Sequence, residues 1–272
     1  MLSIVECELN KYSLVKKYFH PLIRKVLQAS NAEQNILIGL LSDSATESKE
    51  NLKQLENVLE LGNSNCENFK KIFHGVGSLD TANLKKTNEA IHNVLTEIEA
   101  FEYLHNQNFT NIACILRDLP RPTVDFVAYR NTHQYAIEAS RISLPQSQRK
   151  QVVPFFSNKW IKALSSAEAK QPFSYTLLTK IKHEYSQQVE SFCQAKKGCR
   201  GIVLVSTGGR FFISQWTRDE FYMLPMTTKN ILPPVWQELK KNNHCPYLYH
   251  IVFIVKRNLT YTYPDFPNEM KE

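Results

Sequence analysis

The chain has 272 residues, of which 43% are hydrophobic, and it carries a formal net charge of +7. This length and composition fit one large or two modest globular domains and exclude a disordered or fibrous protein. The N-terminus lacks a basic segment followed by an apolar run, and no stretch approaches the roughly 18 apolar residues of a membrane span. We therefore expect a cytoplasmic protein with no membrane partner.

The spacing of the cysteines and the distribution of charge indicate which kinds of functional site the chain contains. Six cysteines are scattered without zinc spacing, which indicates reduced thiols and neither a disulfide framework nor a zinc ribbon. Residues 141–257 carry 18 basic and 6 acidic side chains, whereas residues 91–140 carry 3 basic and 6 acidic ones. An acidic segment followed by a basic region is typical of a metal site beside a polyanion-binding surface; the alternative is an ordinary charged surface.

The first third of the chain is dominated by helical spacing. Apolar residues recur at this spacing over 11–42 and 52–59, and a short helix is predicted near Phe69. Basic and acidic side chains balance over residues 1–90, with 11 of each. The pattern predicts an N-terminal helical module over residues 1–82 that contacts a protein partner or a second copy of the chain.

The next segment predicts a long helix from Leu84 to about Asn106 with one apolar stripe. The stripe consists of Ile91, Val94, Ile98, Phe101 and Leu104. At 100° per residue, Glu97 lies about 50° from the centre of the stripe, and Glu99 falls on the opposite side. Glu97 is therefore the acid expected to face inward, and its alternative role is that of a partly exposed boundary glutamate.

Three predicted strands follow, which gives the order helix, strand, strand, strand. They lie within residues 109–119, 124–129 and 134–142. If the last two pair as a hairpin, Asp125 and Glu138 lie side by side. Two such carboxylates bind Mg²⁺ or Mn²⁺, with the Ala139 carbonyl as a third oxygen ligand. The alternative is a pair of exposed acids at strand ends.

The second half continues the alternation of helices and strands. A long helix is predicted over 174–197, with Gln188 near its apolar face and Lys182 on the edge. An apolar run at 198–208 predicts a strand buried on both faces, and a further helix and a strand are predicted at 234–242 and 247–257.

The division of the chain and its substrate surface follow from these elements. We expect one domain over residues 83–260 and a poorly anchored tail over 261–272. Basic side chains interleaved with aromatic ones predict a nucleic-acid surface after the acidic pair, and the alternative is that they are merely solvated. These basic residues are Arg149, Lys150, Lys159 and Lys162.

Across residues 91–210, the order of elements and acids resembles the PD-(D/E)XK nuclease superfamily, which has the restriction-endonuclease-like fold. In that family a helix bearing a glutamate precedes a strand with Pro-Asp, and a hairpin then leads to (Asp/Glu)-x-Lys, a helix and another strand. The matching residues are Glu97, Asp125 with Pro122 three residues earlier, and Glu138. The resemblance implies an α/β protein whose mixed sheet is flanked by helices. It also implies a Mg²⁺- or Mn²⁺-dependent endonuclease that acts on DNA, with RNA as the alternative substrate.

Ser140 departs from the family pattern because it occupies the position of the catalytic lysine. That lysine positions or activates the attacking water, and a serine supplies no positive charge. In one interpretation the lysine has moved to the following helix, where Lys182 or Lys180 takes its part near Gln188. In the other, the protein binds metal or nucleic acid without cutting and acts as a regulatory subunit. A third class, a protein-interaction module, rests on the helical N-terminal third.

Overall fold

The computed structural model describes most of the chain and places helices on both faces of one mixed sheet. The described residues are 2–28, 32, 35–76, 79, 83–115, 123–142, 172–206, 230–256 and 259–266. The α/β class predicted from the sequence is therefore confirmed.

Four α-helices precede the sheet within the described residues. They are α1 (Leu2–Leu9), α2 (Ser13–Leu27), α3 (Ile36–Ser42) and α4 (Thr46–Asn65). Side chains satisfy the N–H groups at two helix starts, as buried helix ends require. The Asn35 side chain accepts hydrogen bonds from Leu37 N–H and Ile38 N–H. Glu56 of α4 accepts hydrogen bonds from Leu14 N–H and Val15 N–H at 2.8 and 2.9 Å, so α4 holds the start of α2.

Seven strands form the sheet in chain order, again within the described residues. They are β1 (Cys66–Glu67), β2 (Thr110–Cys114), β3 (Phe126–Arg130), β4 (His133–Arg141), β5 (Arg200–Ser206), β6 (Leu248–Lys256) and β7 (Leu259–Tyr263). The pairs β2–β3, β3–β4 and β6–β7 are antiparallel, whereas β1–β2, β4–β5 and β5–β6 are parallel. Strand β5 is buried on both faces, as its apolar run predicts.

The remaining helices cover the two faces of the sheet. They are a 3₁₀ helix (Phe69–Phe73), α5 (Leu84–Asn106), α6 (Pro172–Glu184), a π-helical turn (Tyr185–Val189), α7 (Glu190–Ala195), α8 (230–240) and a second 3₁₀ helix (Lys241–Asn243). Helices α1 to α5 share a core with one face. Helices α6 to α8 share a core with the other face.

Helix α5 spans the predicted residues, but it is buried on two sides because it lies between the N-terminal helices and the sheet. Phe101 packs on Phe69 with ring centroids 5.2 Å apart, and Tyr103 hydrogen-bonds Thr262 of β7 at 2.7 Å. The predicted outward position of Glu99 is therefore wrong. A single apolar stripe describes only a helix with one buried face.

The described parts of the predicted N-terminal module and of the predicted tail both pack with the sheet. Strand β1 lies within the N-terminal module and pairs with β2, and the module shares its apolar core with the sheet. The predicted tail begins inside β7. Beyond that strand, Phe266 packs on His250 with ring centroids 4.1 Å apart and lies 4.2 Å from the Arg130 guanidinium carbon, so the described part of the tail is anchored.

Among the described residues, none of the helices combines the length and the hydropathy that a membrane crossing requires.

Two glycine substitutions, one in β5 and a control in α3, test how the sheet packs against its helices. A Cβ on Gly201 of β5 would lie 2.9 Å from the Tyr247 carbonyl oxygen and would collide with Val189 of the π-helical turn. We expect Gly201→Ala to lower the free energy of unfolding by about 1–3 kcal/mol. Gly39→Ala is the matched control, since a Cβ there meets nothing within 4 Å. It should raise the free energy by about 0.5–1 kcal/mol. Urea denaturation measures both, and equal stability of the two variants would contradict the packing.

Candidate functional site

The antiparallel pairing of β3 and β4 brings Asp125 and Glu138 together. Phe126 pairs with Ile137, and continuing this register by one residue places Asp125 opposite Glu138. The Asp125 carboxylate accepts a hydrogen bond from Ala139 N–H at 2.9 Å. Asp125 is 5% and Glu138 2% exposed. The two acids are thus buried neighbours, unlike exposed acids at strand ends.

Glu138 faces the π-helical turn that joins α6 to α7. Ala136 of β4 and Ile142, just after the strand, belong to the core under α6 and α7. Because side chains alternate along a strand, Glu138 and Ser140 point to the same face as these two residues. Gln188 lies in the π-helical turn and its side-chain amide donates a hydrogen bond to Glu138 at 2.8 Å. Such turns interrupt helices frequently at functional sites.

Ser140, two residues after Glu138 in β4, connects to a lysine through one carboxylate. Its hydroxyl donates a hydrogen bond to Glu184 Oε1 at 3.0 Å, and Lys180 Nζ lies 2.5 Å from the same oxygen. Lys182 lies about 200° round the helix from Lys180, on the side where its charge acts on the Cys245 thiol. The structure therefore brings Lys180, rather than Lys182, to Ser140.

Glu97 lies on the other side of the sheet, in α5, where it is partly buried. Its charge and that of Asp125 both act on the Cys114 thiol of β2. A hydrogen bond with Cys66 and burial are the larger causes that raise the pKa of Cys114, and the two carboxylates raise it further. Glu97 and Asp125 thus both lie near Cys114, whereas Glu97 and Glu138 lie on opposite faces of the sheet.

A second polar cluster, which sequence patterns did not reveal, lies under α5 at the same end of the sheet. Glu99 is 1% exposed and accepts a hydrogen bond from the Ser206 hydroxyl of β5. Ser206 pairs in register with Arg141 of β4. Burial lowers the pKa of Arg141 to about 10, against the opposing effect of Glu99 and Glu89. These residues form an electrostatically linked group.

The burial of Glu184 and Glu99 was not predicted, although both acids lie at helical spacing from buried residues. Glu184 lies seven residues after Leu177 and four before Gln188, on the stripe that Leu177 and Ile181 define. Glu99 likewise shares spacing with His92 and Tyr103. An acid on a stripe that is otherwise apolar or aromatic predicts a buried, hydrogen-bonded carboxylate.

Asp125 and Glu138 are the two carboxylates of this site that would hold a hard divalent cation. Mg²⁺ is held in proteins by one or two carboxylates and keeps water or substrate oxygens as further ligands. Within the described ranges, no group of three or more His, Cys, Asp or Glu side chains has the arrangement of a metal site. This excludes a cage made only of such side chains from those ranges.

The predicted nucleic-acid surface of Arg149, Lys150, Lys159 and Lys162 lies outside the described residues. Comparison of the chain with protein-family models, curated proteins and solved structures found no significant match.

The pH dependence of the free energy of unfolding tests whether His92, beside the polar cluster under α5, is buried in its neutral form. Burial, followed by the charge of Arg141, lowers the pKa of His92 from 6.5 to about 3. Between these values the unfolded chain binds more protons, so stability falls as the pH falls. From pH 6.5 to about pH 5 we expect the native protein to lose about 1–2 kcal/mol more than His92→Gln.

Urea denaturation across this pH range measures the difference. His183→Gln removes an exposed imidazole from α6 and serves as the control, which should retain the slope of the native protein. If His92→Gln retains it as well, His92 is not buried in its neutral form.

Proposed function

We propose that the protein is a metal-dependent nuclease of the PD-(D/E)XK type, which hydrolyses DNA phosphodiester bonds with Mg²⁺ or Mn²⁺. One observation carries the proposal. Asp125 and Glu138 are buried cross-strand neighbours at one end of the sheet, and buried carboxylates without a compensating role are disfavoured.

The order of elements supports the same proposal. Helix α5 with Glu97 precedes β2 and β3, the β3–β4 hairpin joins Asp125 to Glu138, and α6, α7 and β5 follow. This order agrees with the restriction-endonuclease-like pattern of helix, strand, hairpin, helix and strand. Fold alone does not imply activity, so the function rests on the acidic pair.

The residues divide the work of hydrolysis in this proposal. Asp125, Glu138 and the Ala139 carbonyl would hold the cation, which when bound lowers the pKa of a water molecule and neutralises charge on the phosphate. Gln188 orients Glu138 through its hydrogen bond. Glu97 serves as an auxiliary acid, and Lys180 places a positive charge beside Ser140 through Glu184.

A non-catalytic nucleic-acid-binding or regulatory protein on the same fold is the second candidate. The ion pair of Lys180 with Glu184 favours it, because a paired lysine brings no net charge to the site. The two functions differ in whether DNA is cut in the presence of metal.

Substitution of the acidic pair tests the proposal directly. Asp125→Asn and Glu138→Gln keep the side-chain volume but remove the charge that binds the cation, so each should reduce Mg²⁺-dependent plasmid cleavage by at least about 100-fold. Titration of Mn²⁺ by calorimetry should show lost binding in parallel. Glu60→Gln, at an exposed position in α4, should cleave and bind as the native protein does. If the folded Asp125→Asn and Glu138→Gln variants still cleave DNA, the proposal is wrong.

The role of Lys180 is tested by removing its positive charge and then restoring a positive charge at position 140. If its charge replaces the family lysine, Lys180→Ala should reduce the cleavage rate by about 100-fold or more. Adding Ser140→Lys restores a cation beside Glu184 and should recover most of the rate. Lys182→Ala is the matched control on the same helix, with an expected effect of less than about threefold. A Lys180→Ala variant that cleaves normally would remove Lys180 from the mechanism. Native protein that cleaves no DNA in Mg²⁺ or Mn²⁺ would favour the second candidate.

A further inference from the structure

A positively charged surface with aromatic side chains lies at the opposite end of the sheet from the acidic pair. Strands β4 and β5 run parallel, so the first residue of β5, Arg200, lies at the end remote from Glu138. The basic-aromatic surface consists of Lys196, Arg200, Trp236, Lys240, Lys241 and Tyr249. It is distinct from the basic segment predicted after the acids.

A β-bulge turns Tyr249 outward at the start of β6. Gly201 pairs with Leu248, and the next residue, Ile202, pairs with His250, so Tyr249 is the extra residue. Bulges redirect a side chain out of the regular alternation. The ring of Tyr249 is 41% exposed, and the Arg200 guanidinium carbon lies 4.7 Å from its centroid.

Lys240 links Tyr249 to a second aromatic ring. Its ammonium lies 6.0 Å from the Tyr249 centroid and 4.9 Å from that of Trp236. Hydrogen bonds to the Cys245 and Leu248 carbonyls hold this ammonium in place. The four side chains therefore form one continuous row.

A shallow groove of about 620 Å³ lies along α8 and includes two members of the row, Trp236 and Lys240. It is lined by Pro234, Trp236, Gln237, Glu238, Lys240 and Lys241. Glu238 is the one acid in this lining, against the two lysines of the groove. Arg200 lies over Tyr249, and Lys196 lies in the turn that leads into β5. The groove thus contains an indole ring, and the Lys240 ammonium lies over one face of it.

We propose that the basic-aromatic surface binds single-stranded nucleic acid. Unpaired bases stack on Tyr249 and Trp236, and Lys196, Arg200 and Lys241 contact the phosphates, the combination that single-strand binders use. A duplex has its base faces already stacked, so it gains only the charge contacts. An acidic peptide would not use the rings. The proposal does not rest on the metal site.

Fluorescence anisotropy with a labelled 12-residue oligonucleotide in EDTA tests the surface without metal. Tyr249→Ala should weaken binding by at least about fivefold, whereas Tyr249→Phe keeps the ring and should bind as the native protein does. Lys241→Ala should weaken binding, and Lys53→Ala, at an exposed position in α4, should not. With three phosphate contacts, affinity should fall about 20-fold between about 50 and 200 mM salt.

The competing partners give different results in the same assay. Equal affinity for a duplex of the same length, or for a poly-glutamate peptide, would overturn the assignment to single strands. Equal binding by Tyr249→Ala and Tyr249→Phe would also overturn it, since stacking would then contribute nothing. Because EDTA removes divalent ions, binding by the native protein is measured here without metal-dependent cleavage, so the two proposals fail independently.

Discussion

The position of β4 between β3 and β5 is the constraint on which the candidate site depends. The antiparallel register with β3 brings Asp125 opposite Glu138, and the parallel register with β5 brings Arg141 beside Ser206. Because side chains alternate along the strand, Glu138 and Ser140 face the helices on one side, and Arg141 faces α5 on the other. A slip of one residue would exchange these faces and destroy both polar clusters. Register therefore determines both the site and its surroundings.

Burial of several carboxylates imposes a second condition on this end of the sheet. A buried charge is tolerated when it is hydrogen-bonded or paired, and each such acid has a named partner here. Asp125 has Ala139 N–H, Glu138 has Gln188, and Glu99 has Ser206. The partners come from different elements, so helices α5 and α6 cannot shift without leaving an acid unsatisfied. The same contacts that stabilise the acids therefore hold the helices in place over the sheet.

Irregular backbone marks the places where the chain departs from ordinary packing. The π-helical turn presents Gln188 to Glu138, and the bulge in β6 presents Tyr249 to solvent beside Arg200. Both distort a regular element to aim one polar or aromatic side chain. The two side chains belong to different proposed contacts: Gln188 meets Glu138 of the acidic pair, and Tyr249 belongs to the basic-aromatic surface beside Arg200.

The sequence by itself determined the class of fold, the limits of α5, the three strands after it and the acids that those strands carry, because periodicity and turn residues are local properties. Only the tertiary structure decided that Glu99 and Glu184 are buried and that Lys180, rather than Lys182, is linked to Ser140 through Glu184. It also decided that β7 pairs with β6 as the last strand of the sheet. An apolar stripe shows that a helix has a buried face, but the number of faces covered depends on what packs against it. Which lysine approaches Ser140 likewise depends on how α6 is rotated over the sheet, and that rotation is set by packing between residues distant in the chain.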